Sequence, residues 1–357
     1  MENEHKRRAR YSGKYPKKFE EKYKEHNPEK YADTVQRVID KGSTPAGMHI
    51  SIMVDEILKC LKIQPGEHGL DATLGYGGHT KRMLEVLLDS GDKSGFTVGL
   101  DVDPIESKKT VERLREAGFS EDNFKFELTN FRNIDKITQK YGKFDFVLAD
   151  LGVSSMQIDN PERGFSYKID GPLDLRMNPQ EGVSAAGRLR EITKDEFVGM
   201  LVENSDEPYA EEIADKVFFR MKQGDKMDTT TALREAIEAA LFIPTKKMSR
   251  DEQKEAVKKS CQRTFQALRI DVNSEFEVLY EFLEKLPDIL NPGGRTAILT
   301  FHSGEDRLVK KSFNSLLKQG VYGEISTDVI RPGKEECRIN PRAKSTKLRW
   351  AVRSNDK

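Results

Sequence analysis

The sequence of 357 residues contains little cysteine, a single tryptophan and no excess of charge of either sign. Its cysteines, Cys60, Cys261 and Cys337, lack the paired spacing of a zinc site or a disulfide framework, so we expect ordinary thiols. The 60 basic and 60 acidic residues cancel, which excludes a general attraction to polyanions. Any recognition of charged partners must therefore depend on local clusters.

Long apolar runs are also missing. No stretch is long enough to span a membrane, and the charged amino terminus has no apolar core of the kind found in signal peptides. We therefore expect a cytoplasmic protein that does not contact membranes. The length suffices for one large α/β domain with an insertion.

The most informative stretch is Asp71–Thr80, which reads Asp-Ala-Thr-Leu-Gly-Tyr-Gly-Gly-His-Thr. It ends the apolar run that begins at His68, and it precedes Lys81–Leu88, whose leucines and Met83 share one helical face. The glycines therefore lie at a predicted strand-to-helix turn, where a missing Cβ lets a ligand approach the backbone. This is the first crossover of a doubly wound sheet.

An acidic residue ends the second predicted strand, Phe96–Asp101. There Asp101 can accept hydrogen bonds from ribose hydroxyls, in NAD and S-adenosylmethionine alike. Thr80 stands where a dinucleotide fingerprint has glycine or alanine. The alternative is a glycine turn that merely closes a tight loop, with Asp101 capping the next helix.

The remaining elements follow the rhythm of a parallel sheet. A helix is predicted over Pro104–Ala117, a strand over Phe124–Leu128 and an apolar, fully buried strand over Phe144–Ala149. Asp150 follows at the carboxyl end of that strand, so it points to the same crevice as Gly77 and Asp101. The long polar loop after Asp150 is of the kind that is usually functional.

Seven short motifs occur one after another along the chain, each of them once. They are Asp71–His79, Asp150–Ser155, Arg163–Ser166, Asp170–Met177, Arg263–Ile270, Phe301–Ser303 and Asn340–Ser345. Together they resemble the ribosomal RNA small subunit methyltransferase H family, over about His49 to Arg353. The resemblance implies a Rossmann-like class I S-adenosylmethionine-dependent methyltransferase sheet with a helical insertion subdomain. It also implies methylation of the exocyclic N4 of a cytidine in the decoding region of 16S rRNA, in the P site.

The resemblance also implies which residues of this sequence form the site. The implied contacts with S-adenosylmethionine are Gly77, Gly78, His79, Asp101, Phe131, Asp150 and Gln157. Phe131 follows the third strand and is a candidate to stack on adenine, although a phenylalanine at a strand end is more often part of the core. The implied partners are 16S rRNA and the small ribosomal subunit, with a homodimer as one option for assembly.

The chemistry requires positioning more than reactive groups. Methyl transfer from a sulfonium is a direct displacement that needs no metal. An acceptor for one amino hydrogen would free the nitrogen lone pair, and Asp150 is our candidate catalytic residue; its alternative role is to bind the amino acid end of the cofactor. We favour structural roles for His79 and His302. A paired base cannot reach such a crevice, so the target must be flipped out or unpaired.

Three positions depart from the usual family motifs. Gly304 replaces a leucine, Met156 replaces a proline, and Glu203–Tyr209 replaces a Tyr-Gly-Glu-Glu stretch. None removes an implied cofactor contact, and all three lie near the expected substrate surfaces. They bear on the target base more than on the chemistry.

The predicted domains are an N-terminal extension (residues 1–47), a methyltransferase domain (48–177 and 266–357) and a helical insertion (178–265). In the extension, a basic arm precedes an apolar helical stripe that begins after Asn27. That helix either docks on the parent domain or extends the surface that grips the ribosomal subunit, and we favour docking, with RNA contact for the arm.

Beyond the insertion, Ser274–Glu277 reads as a capping box opening a helix that buries Phe276, Leu279, Tyr280 and Leu283. Pro287 and Asn291–Gly294 are predicted to turn the chain into the fifth strand.

Basic side chains near the carboxyl end are candidates for RNA phosphate contacts, namely Arg307, Arg342 and Lys344. The alternative for the tail is a solvated hairpin in which Leu348 and Trp350 pack on the sheet.

Two other functions remain open on sequence alone. An NAD-dependent oxidoreductase is opposed by Thr80 and by the lack of a recognisable hydride-transfer site. The other is a diverged paralogue that binds RNA or ribosomes and has changed its target or lost activity.

Overall fold

A computed structural model describes residues 51–91 and 94–355. The predictions for the basic arm and the helix after Asn27 lie outside the described residues. Within the described residues, Met53–Arg331 and the strand after Ser345 belong to one compact unit, and Pro332–Lys344 belongs to a second, smaller unit. All of the sheet belongs to the larger unit.

The larger unit is built on a seven-stranded sheet with the order β3-β2-β1-β4-β5-β7-β6. Its strands are β1 (His68–Asp71), β2 (Phe96–Asp101), β3 (Phe124–Leu128), β4 (Phe144–Asp150), β5 (Leu290–Thr300), β6 (Tyr322–Ile325) and β7 (Lys347–Arg353). Strands β1 to β5 pair in parallel, while β7 is antiparallel to both β5 and β6. The α/β fold predicted from the sequence is confirmed.

Of the five helices before the insertion, the first precedes β1 and the other four come after β1, β2, β3 and β4 in turn. They are α1 (Val54–Leu61), α2 (Gly78–Leu88), α3 (Glu106–Glu116), α4 (Ile134–Tyr141) and α5 (Ser155–Asp159). On α2, the apolar positions Met83, Leu84 and Leu87 are buried, as the spacing predicts. The first strand ends at Asp71, so the turn begins three residues earlier than the apolar run to Leu74 suggests.

The later helices comprise those of the insertion, those of the sheet and one short helix of the smaller unit. They are α6 (Ala185–Glu191), α7 (Lys194–Ser205), α8 (Ala210–Lys222), α9 (Thr230–Leu241), α10 (Arg250–Asn273), α11 (Glu275–Ile289), α12 (Ser303–Lys318) and α13 (Lys334–Ile339). Helices α6 to α10 surround one apolar core, and the sheet with α11 and α12 surrounds another. The boundary predicted at residues 265/266 falls inside α10, which is continuous across it.

The junction between α10 and α11 differs from the prediction. Ser274 has a φ of 49° and its side chain makes no capping bond, so the capping box is wrong. The reason is that α10 runs to Asn273, and Ser274 both ends that helix and begins α11. In its place, Glu275 forms a two-pronged ion pair with Arg269 across the junction.

Two further predictions for α11 are wrong. Tyr280 is 62% exposed, although Leu279 and Leu283 on the same helix are buried. Its position lies at the edge of the apolar stripe, where the sheet no longer covers the helix. Pro287 lies within α11 and does not end it, and β5 begins at Leu290, so the predicted turn residues are part of the strand.

None of the helices in residues 51–91 and 94–355 is long and apolar enough to cross a membrane.

Candidate functional site

The glycine turn between β1 and α2 has the backbone that the sequence predicts. Gly75 and Gly77 have φ values of 49° and 81°, in the left-handed region that favours glycine. A Cβ at Gly77 would lie 2.7 Å from the Thr110 methyl carbon on α3, so space as well as conformation requires glycine there. The turn is held from α3, where the Thr110 hydroxyl donates to the Gly75 carbonyl at 2.6 Å.

Two side chains stabilise this turn without a clear signal in the sequence. The Thr80 hydroxyl donates to the Asp71 carboxylate at 2.6 Å, which gives a local reason for threonine where a dinucleotide fingerprint has glycine. The Arg113 guanidinium lies 3.9 Å from the centre of the Tyr76 ring. The turn is therefore fixed before any ligand binds.

Asp101 lies at the end of β2, beside the turn. Its carboxylate accepts hydrogen bonds from the backbone N–H groups of Gly75, at 2.9 Å, and of Asp103, at 2.8 Å. Burial raises the pKa of Asp101 to about 6 despite these bonds. The predicted ribose acceptor thus also couples strand β2 to the glycine turn, and each carboxylate oxygen keeps a second lone pair.

A buried ion pair ties three loops together behind Asp101. The Asp103 carboxylate accepts from Arg163 at 2.6 Å and from the Gln157 side chain at 2.9 Å. Arg163 also donates to the carbonyls of Arg176 and Met177. Burial by itself would raise the pKa of Asp103, but the bonds from Arg163 and Gln157 outweigh it and leave that pKa below its usual 3.8.

Gln157 has a structural task in this arrangement. Its amide nitrogen donates to Asp103, and its amide oxygen accepts the N–H of Ser154 as part of the capping box of α5. The side chain is buried. Any contact of Gln157 with a cofactor would have to share these bonds.

Asp150, at the end of β4, has a carboxylate with one unused oxygen. Its Oδ2 lies 3.5 Å from Nδ1 of His79 on α2, and its backbone N–H donates to the Thr73 hydroxyl at 2.6 Å. Its Oδ1 is buried and makes no hydrogen bond within the described residues. Burial raises the pKa of Asp150 to about 6, His79 lowers it, and Asp71 and Glu305 raise it.

Asp71, Asp101 and Asp150 meet at one edge of the sheet. Each ends its strand, and β1 pairs in parallel with both β2 and β4. The carboxyl ends of parallel strands form the ligand crevice of open α/β sheets. The structure thus brings together the turn, the strand-two acid and the strand-four acid that the sequence predicts for one crevice.

Phe131 follows β3 in a short 3-10 turn, Phe131–Asn133. Its ring meets Phe282 of α11 edge to face, with 5.2 Å between ring centres. It is half-buried, so it contributes to the sheet core while keeping exposed surface. Stacking of this ring on adenine stays a prediction.

A group of possible metal ligands lies near the end of β5. Single ligand atoms of Glu275, His302 and Glu305 lie within 4.8 Å of one another. Glu275 is already neutralised by Arg269, and Glu305 accepts the N–H of Phe301 at 2.8 Å and pairs with His302. These partners account for both carboxylates, so the group gives no reason to invoke a metal.

The basic residues predicted to bind RNA fall in different places. Arg307 is 72% exposed on α12, 4.0 Å from Asp206. Arg342 and Lys344 are exposed in the 3-10 turn Pro341–Ser345, and their segment belongs to the smaller unit. In β7, Leu348 is buried as the hairpin alternative predicts, while Trp350 is only half-buried.

Two other cations of the tail are already paired. Lys347 and Arg349 on β7 both bind Asp306 of α12, at 3.0 and 2.7 Å. These ion pairs therefore connect β7 to α12 and stabilise the packing of that helix on the sheet.

The strand order, the glycine turn and the acids at the ends of β2 and β4 together define the class of protein. They are those of a Rossmann-like, S-adenosylmethionine-dependent methyltransferase. The chain belongs to the MraW methylase family, whose model matches residues 46–354. The family resemblance read from the sequence is confirmed, and the oxidoreductase alternative is wrong.

Relatives with curated names extend this result. The chain is 62% identical over 350 residues to ribosomal RNA small subunit methyltransferase H 1 of Lachnoclostridium phytofermentans, covering 98% of this chain and 93% of the relative. It is 63% identical over 354 residues to the protein of the same name from Agathobacter rectalis, covering 99% of each. A methyltransferase H of Thioalkalivibrio sulfidiphilus is 36% identical, covering 87% of this chain and 98% of the relative.

Proposed function

We propose that this protein transfers a methyl group from S-adenosylmethionine to the exocyclic N4 of a cytidine in the decoding region of 16S rRNA. Membership of the methylase family supports methyl transfer, and the names of the relatives support small-subunit rRNA as the substrate. The observation that carries the proposal is the unpartnered, buried oxygen of Asp150 at the ligand edge of the sheet. A buried acceptor without a donor is costly unless a ligand completes it.

The crevice residues fit the parts of S-adenosylmethionine. Gly77 and Gly78 begin α2 and let the backbone approach the amino acid end, with His79 beside them. Asp101 accepts from the ribose hydroxyls, Phe131 offers a face to adenine, and Gln157 holds the loop after β4. When bound, the cofactor supplies an electrophilic methyl group on a sulfonium.

Two roles are compatible with the position of Asp150. As an acceptor for one amino hydrogen of cytosine, the carboxylate would raise the electron density on N4 and stabilise the positive charge that develops there. The N–CH3 bond would form as the S–CH3 bond breaks, and the amino proton would pass to the carboxylate. As a partner of the cofactor's ammonium group, it would contribute to cofactor affinity alone. An Asp150→Asn variant separates them: the first role predicts a lower kcat with an unchanged affinity for S-adenosylmethionine, and the second predicts a weaker affinity.

The reaction is tested with purified protein, labelled S-adenosylmethionine and two substrates, 30S subunits and naked 16S rRNA, from cells that lack the family enzyme. Nucleoside mass spectrometry then identifies the product. Label in N4-methylcytidine of the decoding region supports the proposal, and comparison of the substrates shows whether an assembled subunit is required. Cofactor binding without this product contradicts it and favours a diverged paralogue with another target.

A further inference from the structure

A cavity bounded by four helices lies next to the carboxyl end of β5, where His302 and Ser303 contribute to its lining. Its volume is about 740 Å³, and its walls are the end of α7, the middle of α10, the first half of α11 and the start of α12. We call it the side cavity. None of its lining residues belongs to the glycine turn or to the acids that end β1, β2 and β4. Its lining is therefore separate from the residues of the cofactor crevice.

Gly304 keeps the side cavity open. A Cβ at this position would lie 2.6 Å from Cζ of Phe276 and 3.2 Å from Nδ1 of His302. Gly304 is in the first turn of α12, where its backbone is ordinary right-handed helix, so the chain needs glycine there for space and not for conformation. Two of the three motif departures noted in the sequence, Gly304 and the stretch from Glu203, line this cavity, whereas Met156 does not.

The side cavity is lined by aromatic and cationic side chains, which are the groups that proteins use to bind nucleotides. Phe276 is half-buried and the Tyr280 ring is 62% exposed, so both offer ring surface on which a base can stack. The side chain of Arg263 is half-buried and makes no hydrogen bond or ion pair within the described part of the chain. Arg307 adds a second cation, and the first N–H groups of α12 have no acceptor inside the helix.

The acidic groups narrow the choice of base. Glu281 is bound to Arg132 and Asp206 lies near Arg307, but Glu203 and Glu277 have no ion-pair partner among the residues described. A carboxylate only accepts hydrogen bonds, so it suits the exocyclic amino groups of cytosine, adenine and guanine. Uracil offers it only the N3–H group, which lies between two carbonyl oxygens that the carboxylate repels.

We propose that the side cavity anchors an unpaired nucleotide of the RNA substrate whose base carries an exocyclic amino group, next to the nucleotide that is methylated. The inference rests on the proposed function for the identity of the substrate. The cavity lies near the crevice, because its lining residues His302 and Ser303 come just after β5, and β5 pairs with β4 so that Leu299 lies opposite Asp150. The anchor positions RNA and takes no part in methyl transfer.

The first test measures kinetics with 30S subunits or 16S rRNA. Gly304→Leu fills the cavity, and we expect KM for RNA to rise about ten-fold with unchanged kcat and unchanged affinity for S-adenosylmethionine. Gly199→Leu is the matched control, because Gly199 is also helical and no atom lies within 4 Å of its Cβ position. An unchanged KM in Gly304→Leu, with normal folding by circular dichroism, refutes the anchor.

Two further variants keep the test valid if Gly304→Leu does not fold. Tyr280→Ala removes exposed ring surface, and Arg263→Gln removes the unpaired cation; each should raise KM several-fold. The control for Arg263 is Arg250→Gln, at the start of the same helix and roughly 20 Å away along its axis. Equal effects of Arg263→Gln and Arg250→Gln would overturn the assignment.

A binding experiment separates this inference from the proposed function. Fluorescence anisotropy with hexamers of cytidine, adenosine or uridine ribonucleotides should give about ten-fold weaker binding of the uridine hexamer, and Gly304→Leu should abolish the difference. If Gly304→Leu abolishes the difference between the hexamers but the wild-type protein makes no N4-methylcytidine, the anchor is supported and the proposed reaction is refuted. A difference that persists in Gly304→Leu, or no difference in the wild type, refutes the anchor alone.

Discussion

Replacing Asp150 by asparagine should make the protein more stable and less active. Asp150 has a pKa of about 6 in the folded protein against its usual 3.8, chiefly because of burial. A carboxyl whose pKa is raised by folding contributes most below the unfolded pKa and loses stability as pH rises through the folded one. Ionised Asp150 therefore destabilises the fold at pH 7, and this penalty is largely absent near pH 4.

The magnitude follows from that difference in pKa. Two pKa units correspond to about 3 kcal/mol at pH 7. The side chain is 24% exposed, so solvent screening reduces the effect, and we expect Asp150→Asn to gain about 1–2 kcal/mol. Methyl transfer should fall on the order of 100-fold if the carboxylate accepts an amino hydrogen.

The assay is urea unfolding at several pH values between 4 and 7, together with the methylation assay. Asp101→Asn is the matched comparison, because the pKa of Asp101 is also about 6 but its carboxylate accepts two backbone N–H groups. An asparagine amide cannot accept both bonds without turning a donor toward an N–H, so this variant should lose stability. A destabilised Asp150→Asn, or a gain that is the same at pH 4 and pH 7, would refute the reasoning.

Three further results are expected. Gly77→Ala should weaken S-adenosylmethionine binding and cost roughly 2–4 kcal/mol of unfolding free energy, whereas Gly91→Ala, with a similar φ but open space at its Cβ, should cost less by calorimetry and urea unfolding. Arg163→Met strands a buried carboxylate and should cost about 3–5 kcal/mol, and a loss below 1 kcal/mol would contradict the importance of this pair. Charge reversal at Arg342 and Lys344 should lower RNA affinity and its salt dependence in a binding titration; if both stay constant, the tail has no phosphate contacts.

The parts of the site that could be predicted depend on local chain signals and on one rule of parallel sheets. Gly77 is required by a positive φ, and Asp101 and Asp150 each end an apolar strand. Because parallel strands end at the same edge, their convergence follows from the strand assignments alone. No knowledge of side-chain packing is needed for this step.

Other features depend on partners distant in sequence. Asp103 and Arg163 are separated by 60 positions, and each also looks suited to an exposed loop, so their buried pair is visible only in the folded chain. The same holds for Ser274, where a typical capping pattern is overridden because the preceding helix continues to Asn273. The side cavity could not be foreseen either, since its walls come from four separate helices.

Only Ser274 separates α10 from α11, so a small change in its backbone angles would be amplified along the length of α10. With 24 residues, α10 is about 36 Å long, so a tilt of about 10° at Ser274 would move its far end by roughly 6 Å. Arg263 and Tyr280 lie on opposite sides of this pivot, and the Arg269–Glu275 ion pair bridges it. The angle between α10 and α11 at Ser274 therefore determines the distance between the two walls of the side cavity that these helices form.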